Sequence, residues 1–309
     1  MDALSHLLQL YPAHVAVDHA CNLGSPWSLD SPASPFGIAP YHVVTNGCAW
    51  LTIEGEKPLH LQTGDIVVLP SGAPHSLSAS GPGQPSLARK VSGGVLPVIV
   101  NDGVNDRSEL LCGSFNFEPN IAGILFASLP SLLHIRQTGG SDLDSMRSLI
   151  TLLRNEHRMA RPGSAMILAQ LASSLFAMIL RAWLTQAPEH RGMLALLSDP
   201  RLRRGFTAIL ENPGHPWSVD ELADTCNVSR ATFARHFVKA TGITPGDLLM
   251  RIRMARAVQW LQSERHNIAM VADAVGYQSE AAFSRAFTRF YGSAPGAYRR
   301  QQGSGLGTS

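Results

Sequence analysis

The 309-residue sequence has few cysteines, no basic leader before an apolar run, and no uninterrupted apolar stretch of membrane-spanning length. Four cysteines in a chain this long do not suggest a disulfide framework, and the N-terminus lacks the pattern of a signal peptide. The most apolar window, residues 165–180, is interrupted by Gln170, Ser173 and Ser174 and is shorter than the ~20 residues that span a bilayer. These absences predict a cytoplasmic protein.

A net charge of +2 conceals two regions of opposite charge. Residues 201–300 carry 14 Lys and Arg against 8 Asp and Glu, whereas residues 1–200 carry 11 against 15. The length suits two ordinary domains. A basic C-terminal region fits a nucleic-acid-binding unit, and the acidic region would then have another task. Ordinary surface charge is the alternative.

The basic region contains one pattern twice, in residues 217–245 and 267–295. Each copy has a short amphipathic run, a tight turn, and a serine that can cap a second helix; Ser229 and Ser279 are 50 residues apart. Phenylalanines one helical turn apart mark the buried face of each second helix, and a glycine ends it. The pattern predicts a tandem helix-turn-helix, with the repeated positions Phe233 and Phe237, Phe283 and Phe287, Gly242 and Gly292.

This repeat resembles the DNA-binding region of the AraC family of transcriptional regulators. The resemblance rests on the string A-x-x-x-G-Y-x-S-x-x-x-F-x-R-x-F at residues 272–287 and on PGAYR at 295–299, and the region covers about a third of the chain. It implies a regulator of transcription, and an activator first of all. Its partners would be double-stranded promoter DNA, RNA polymerase and a second copy of the chain, with no membrane partner. No enzymatic activity and no catalytic residue are predicted.

The second helix of a helix-turn-helix enters the major groove with its N-terminal part. Arg235 and Arg285 occupy matching places, the sixth residue after each cap serine, where arginine can bond guanine O6 and N7 for ~1–3 kcal/mol of discrimination. Contact with phosphate or solvent is the alternative. A helix over residues 245–263 would fix the distance between the two DNA-contacting helices, so that they enter successive major grooves ~34 Å apart along the DNA. The predicted DNA-binding residues are Arg230, Ala231, Ala234, Arg235, Ala281, Ser284 and Arg285 for bases, and Lys239, Arg289 and Arg299 for phosphates.

The N-terminal region alternates short apolar strands with turns from residue 41 to 80, which predicts a small antiparallel barrel or sandwich. The segment GDIVVLPSGAPHSLS at 64–78 resembles the second half of a cupin motif, so we predict an α+β protein with an N-terminal cupin-like antiparallel β-barrel and a C-terminal all-α tandem helix-turn-helix. Residues 81–106, which are rich in Gly, Pro and Ser, predict a loop. The Gly/Pro/Ser-rich stretch before residue 40 predicts a loop or an irregular edge strand.

The opening residues predict a short docking helix. Two helices over about 142–186 would serve dimerisation or packing within one chain. The predicted divisions are a sensor domain at 1–187, a linker at 188–200, the DNA-binding domain at 201–300, and a disordered tail at 301–309.

Cupins that do chemistry usually bind a metal through two closely spaced His, a carboxylate and a further His. Here only His42 and His75 match, because the sequence reads YHVV at 41–44 and no Glu follows at the usual interval. This departure argues against a cupin dioxygenase or isomerase. A structural pair of histidines is one alternative; the other is a zinc site that Cys21 or Cys112 completes.

A closer resemblance is to the reactive-chlorine-sensing branch of the AraC family. It rests on the opening MDALSHLL, Cys21 before LGS-x-W, the motif ending in His75, and the LLCG run at Cys112. It implies that Cys21 and Cys112 respond to hypochlorous acid. An imidazolium from His19, or from His42 and His75, would favour the reactive thiolate, and a sulfenic acid captured by the second thiol would give a reversible disulfide.

Several alternatives to an oxidant switch stay open. A free cysteine is commonly a small buried hydrophobe, and we assign that role to Cys48 and Cys226. A small apolar or sugar-like ligand in the barrel could replace oxidation as the signal. A cupin enzyme fused to a DNA-binding module and an architectural DNA binder without a switch are the remaining alternatives.

Overall fold

The structure is a computed structural model that describes residues 2–79, 87–117, 129–136, 141–186, 192–262 and 265–304. The chain forms two compact units, Ala13–Pro188 and the combination of Met1–Pro12 with Glu189–Ser309. The first helix, α1 (Ala3–Leu10), is therefore part of the C-terminal unit, although its place in the sequence predicted that it would belong to the N-terminal domain.

Two β-sheets sharing one apolar core build the unit Ala13–Pro188. Leu23, Val44 and Leu110 enter this core from one sheet, and Leu51 and Leu77 from the other. In the described part of the chain the first sheet has seven strands, in the order β11-β6-β3-β10-β1-β9-β8, and the second has four, in the order β2-β7-β4-β5. The strands are β1 (His14–Ser25), β2 (Ser28–Ser31), β3 (Ile38–Asn46), β4 (Cys48–Ile53), β5 (Leu59–Gln62), β6 (Ile66–Val68), β7 (His75–Ser78), β8 (Arg89–Gly93), β9 (Leu96–Val100), β10 (Asn105–Asn116) and β11 (Leu133–Ile135).

The fold class is as predicted, but the stretch at 81–106, predicted as a loop, carries strands. The stretch before residue 40, predicted as loop or irregular edge strand, contains the edge strand β2 and part of the inner strand β1. The predicted loop at 81–106 contains the hairpin of β8 and β9, since the apolar run Leu96–Val100 pairs in parallel with β1; residues 80–86 lie outside the described residues. The start of the Gly/Pro/Ser-rich stretch belongs to β1, a twelve-residue strand between β10 and β9 in the seven-stranded sheet. The unit is thus antiparallel except at the pair β1 and β9.

Two helices, α2 (Ser141–Met159) and α3 (Ser164–Gln186), pack against each other, and α3 also packs on β1. The ring of Phe176 lies 4.7 Å from that of Phe115 in β10. With 23 residues, α3 is longer than the apolar window read from the sequence, and an 18-residue window within it has a mean hydropathy of 1.7. By length and composition alone this helix could span a membrane. Six residues of the predicted stripes are buried: Met146, Ile150, Leu153, Leu168, Leu175 and Ala182. Leu171 and Met178 of the second stripe are only half-buried, and Ala172, Phe176, Ile179 and Leu180 are buried beside it. Packing within one chain accounts for these stripes, and dimerisation stays a prediction.

The C-terminal unit is helical in the part that the structure describes. The stretch predicted as a linker contains a helix whose residues Met193–Leu197 are all buried, because its apolar run packs against neighbouring helices. Leu7 and Tyr11, at the end of the first helix, are each 1% exposed, and the Gln259 amide donates to the main-chain carbonyl of Leu10 at 3.1 Å. The helices are α4 (Gly192–Ser198), α5 (Arg203–Glu211), α6 (Val219–Thr225), α7 (Arg230–Thr241), α8 (Pro245–Leu261), α9 (Ile268–Ala274), α10 (Glu280–Tyr291) and α11 (Pro295–Ser304).

The last of these helices, α11, continues to Ser304, so it includes the first residues of the predicted disordered tail. The rest of that tail, residues 305–309, lies outside the described residues.

Candidate functional site

The two helices α7 and α10 have the same construction. The side chains of Ser229 and Ser279 accept from the third backbone N–H of their helices, at 3.3 and 3.2 Å. Both helices end at a glycine in the left-handed conformation, Gly242 and Gly292, each with φ of 74°. Each residue from 231 to 240 has the same degree of burial as the residue 50 positions later, from 281 to 290. Each copy therefore presents equivalent residues to solvent.

We expect removal of either cap to destabilise the C-terminal unit modestly. Ser229→Ala or Ser279→Ala should cost about 1 kcal/mol of unfolding free energy, since an orphan N–H loses its acceptor. Ser229→Asp is the matched control, because aspartate caps as well as serine does. Urea unfolding of the three variants compares these costs, and an alanine variant as stable as wild type would contradict the prediction.

The exposed faces of α7 and α10 carry most of the predicted DNA-binding residues. Arg235 and Arg285 are exposed at matching positions, as are Ala231 and Ala281. Ala234 and Ser284 are half-buried at the next pair of equivalent positions, and Lys239 and Arg289 are exposed further along each helix. Arg230 is exposed and pairs with Asp220 at 3.0 Å.

Arg299 was predicted to contact phosphate, but its side chain bonds to carbonyl groups within the protein. It is half-buried, and its Nε donates to the carbonyl of Leu261 at 3.0 Å while Nη2 donates to that of His266 at 2.6 Å. These bonds hold the end of α8 and the chain before α9. The placement favours a structural role for this arginine.

A second candidate site lies where β1, β10 and β3 run side by side. Strand register places His19 opposite Cys112, and Cys112 opposite His42, so these three residues form one row across adjacent strands. Cys21 lies opposite Leu110, two residues from Cys112, and is therefore its diagonal neighbour. Directly opposed residues of antiparallel strands point to the same face, which brings all four side chains together. We call these residues and His75 the Cys–His cluster.

The ligand atoms of this cluster lie close together. One nitrogen of His19 and the sulfurs of Cys21 and Cys112 are all within 4.8 Å of one another. The Cys112 sulfur is 3.1 Å from His42 Nδ1, and His42 Nε2 is 2.8 Å from His75 Nε2. His75 Nδ1 lies 2.8 Å from the carbonyl oxygen of Ala73. The candidate redox pair and both candidate metal ligands thus belong to one continuous network.

The environment shifts the two thiols in opposite directions. The pKa of Cys21 is lowered to about 6, chiefly by a hydrogen bond from Cys112 and also by His19, against the opposing effect of burial. The pKa of Cys112 is raised well above its usual value because its proton bonds Cys21 and because it is buried. Burial lowers the pKa of His42 to about 3, with smaller contributions from His75 and His19. These opposite directions favour Cys21 as the thiolate of the pair and Cys112 as its protonated partner.

The other two cysteines lie outside this network. Cys48 is half-buried in β4 of the second sheet. Cys226 is buried in the first helix-turn-helix, where its sulfur accepts from the N–H of Gly205 at 3.1 Å. Both positions agree with the packing role expected from the sequence.

A pocket of about 280 Å³ includes Cys21 among its lining residues, and no motif in the sequence predicted it. Its basic lining comes from the last turns of α2, where Arg154 pairs with Glu109 at 2.5 Å and where His157 and Arg158 lie. Three basic residues within five positions of a helix do not by themselves predict a pocket. The strands that form its opposite wall come from distant parts of the chain, so the sequence does not show that they meet this helix.

A two-sheet β domain and a tandem helix-turn-helix in one chain indicate a transcriptional regulator with a separate N-terminal domain. Comparison with known proteins agrees: a cupin family matches residues 2–185, and a helix-turn-helix domain family matches residues 222–301. The chain belongs to the AraC family of transcriptional regulators, with an N-terminal cupin domain.

Known regulators match this chain over nearly its full length, and a solved DNA-binding domain matches about a third of it. The RCS-specific HTH-type transcriptional activator RclR of Escherichia coli (strain K12) is 32% identical over 97% of this chain and 98% of its own length. An uncharacterized HTH-type transcriptional regulator of Haemophilus influenzae is 30% identical, over 97% and 99%. A solved structure of the DNA-binding domain of AdpA in complex with a target DNA is 32% identical, covering 34% of this chain and 93% of that one, with a TM-score of 0.31.

Proposed function

We propose that this protein is a transcriptional activator that reads promoter DNA through Arg235 and Arg285 and is switched by oxidation of Cys21 and Cys112. The observation that carries the proposal is the proximity of two buried thiols, whose sulfurs lie within 4.8 Å of each other. The RCS-specific activator RclR is similar over nearly the whole chain, which supports reactive chlorine as the oxidant class. RNA polymerase and a second copy of the chain are the proposed partners, and the cytoplasm is the proposed location. No catalytic turnover is involved.

The oxidation balances with one molecule of hypochlorous acid. The Cys21 thiolate attacks chlorine, forming an S–Cl bond as the Cl–O bond breaks and hydroxide leaves. The Cys112 thiol then displaces chloride, and its proton combines with hydroxide to give water. The products are one disulfide, one chloride and one water, so two electrons pass from the two sulfurs to chlorine. The pocket lined in part by Cys21 gives a small oxidant a route to this buried residue.

The pairing of β1 with β10 determines how a disulfide between Cys21 and Cys112 would affect these strands. Diagonal neighbours on antiparallel strands lie roughly 7–8 Å apart, whereas a disulfide needs Cα atoms within ~7 Å and Cβ atoms about 4 Å apart. At this spacing, forming the bond would draw β1 and β10 together. A register irregularity between Val17 and His19 already interrupts their pairing next to the cluster. Movement of β1 would convert oxidation into a change of shape, as a switch requires.

The test is transcription from the neighbouring promoters before and after hypochlorous acid, in cells carrying wild type, Cys21→Ala, Cys112→Ala or Cys48→Ala. We expect both cluster variants to lose induction and Cys48→Ala to keep it, because Cys48 lies in the other sheet. Protein levels measured on the same samples separate loss of response from loss of the protein. Full induction in Cys21→Ala would overturn the oxidant switch.

A ligand-responsive regulator is the second candidate, and the pocket beside Cys21 favours it. Arg158 adds a positive charge to a lining in which Arg154 pairs with Glu109, and that charge suits an anionic small molecule. Induction that survives Cys21→Ala but is lost in Arg158→Ala would support this alternative.

A further inference from the structure

The hydrogen bonds around His75 and His42 fix which ring nitrogen carries the hydrogen in each neutral imidazole. The Ala73 carbonyl can only accept, so His75 Nδ1 must carry a hydrogen. Both side chains are buried, which favours neutral rings that each hold a single N–H. His75 Nε2 is then an acceptor, and His42 Nε2 donates to it across 2.8 Å. His42 Nδ1 is left as a bare lone pair facing the Cys112 sulfur at 3.1 Å.

The hydrogen of Cys112 can point toward His42 Nδ1 or toward Cys21, but not toward both. When it points toward Cys21, the lone pair of His42 Nδ1 faces lone pairs of sulfur. Both residues are buried, His42 at 6% exposure and Cys112 at 2%, so water does not readily relieve the contact. Buried acceptors that face one another without a donor are costly unless something positive lies between them.

We propose that the cluster is a zinc site, with Cys21, Cys112, His19 and His42 as ligands. Two thiolates and two imidazoles form a Cys₂His₂ set of the kind that holds Zn²⁺ tetrahedrally. With Zn–S of about 2.3 Å and Zn–N of about 2.0 Å, ligand atoms stand roughly 3.3–3.8 Å apart. The ligand atoms of His19, Cys21 and Cys112 already lie within 4.8 Å of one another, and His42 Nδ1 lies 3.1 Å from the Cys112 sulfur. Closing the site requires His42 Nδ1 to approach Cys21 and His19 as well.

His75 fits this site as a positioning residue and not as a ligand. It accepts from His42 Nε2 and is itself fixed by Ala73, so it sets the ring orientation that points His42 Nδ1 at the metal. Metal-bound histidines almost always donate their second N–H to such a partner. This arrangement revises the metal pair read from the sequence: His42 is retained, His75 moves to the supporting position, and the two cysteines and His19 replace the cupin ligands.

The site also gives oxidation a second consequence, which rests on the proposed function. Forming the disulfide removes both thiolates from the metal, leaving two imidazoles that hold zinc far less tightly. Zinc would thus hold β1, β10 and β3 in the reduced register, and its release would accompany the movement of β1.

The experiment uses full-length reduced protein, stripped with a chelator and desalted. Zinc is titrated against a chromogenic chelator, and cobalt is added anaerobically to detect the thiolate-to-metal charge-transfer band. We expect one metal per chain, and a loss of the band together with a more than roughly 100-fold weaker zinc affinity in Cys21→Ser or Cys112→Ser. His75→Ala should bind roughly 10–100-fold more weakly. Cys48→Ser should match wild type, and circular dichroism identifies any variant that fails to fold.

Wild-type protein without a cobalt–thiolate band, or equal zinc affinity in wild type and Cys21→Ser, would overturn the site. The two proposals fail separately. Zinc bound by the cluster in a protein whose induction ignores Cys21 would remove only the oxidant switch. Cys21-dependent induction in a protein that binds no zinc would remove only the metal site.

Discussion

Phe233→Ala is expected to lower the unfolding free energy of the C-terminal unit by about 3–5 kcal/mol and to abolish DNA binding. The ring is fully buried and lies 5.5 Å from the ring of Phe237. Gly205 in α5 leaves room for it, since a Cβ added there would lie 3.2 Å from Phe233 Cε2. Truncation would therefore open a cavity between α7 and α5. A loss of this size is comparable to the whole stability of a small domain.

Val238→Ala is the matched control on the same helix, because that side chain is 43% exposed. Its effect should stay within ~0.5 kcal/mol. Phe283→Ala should reproduce the large loss, as its ring is equally buried and lies 5.5 Å from that of Phe287. Urea unfolding of the full chain, read separately for each transition, measures the three effects. A Phe233→Ala protein with an unchanged C-terminal transition would contradict the assignment of this residue to the core.

The helix-turn-helix pair was predictable because its signals are local. Cap serines, phenylalanines four residues apart and terminal glycines each act within a few residues of their own position, and the second copy repeats them all. Sequence therefore identified Ser229 and Phe233 in their structural roles. Arg299 shows the limit, since its carbonyl partners, Leu261 and His266, are 38 and 33 residues away. No local pattern distinguishes such an arginine from one that faces phosphate.

The Cys–His cluster was predictable only as a set of residue types. His19, His42 and Cys112 form a row because β10 pairs with β1 on one side and β3 on the other, and that order joins segments about 70 residues or more apart. A shift of one residue in either pairing would turn a side chain to the opposite face. The resemblance supplied Cys21 and Cys112, whereas register supplied the position of His42 between Cys112 and His75. For the same reason β1, read in part as loop, became the strand that carries Cys21.

Combining Arg235→Ala with Arg285→Ala is expected to weaken binding to the preferred DNA site by roughly 30-fold to 10⁴-fold. Each arginine that bonds guanine contributes ~1–3 kcal/mol of discrimination. The two residues lie on separate helices of the repeat, so their losses should add. Their equivalent exposure on α7 and α10 is the reason to expect similar single effects. The DNA site is obtained by selection from random duplexes with wild-type protein, and affinities follow from fluorescence anisotropy at fixed salt.

Lys239→Ala and Arg289→Ala distinguish residues that contact phosphates from residues that contact bases. These exposed cations near the ends of α7 and α10 should weaken selected and random DNA alike and lower the salt dependence by about one unit each. The reading arginines should instead erase the preference for one base pair each and leave random DNA bound nearly as before. If Arg235→Ala weakened both DNAs equally, Arg235 would be a phosphate contact and sequence would be read elsewhere. Because burial repeats position by position in α7 and α10, the matched variants at 235 and 285 decide that question for both copies.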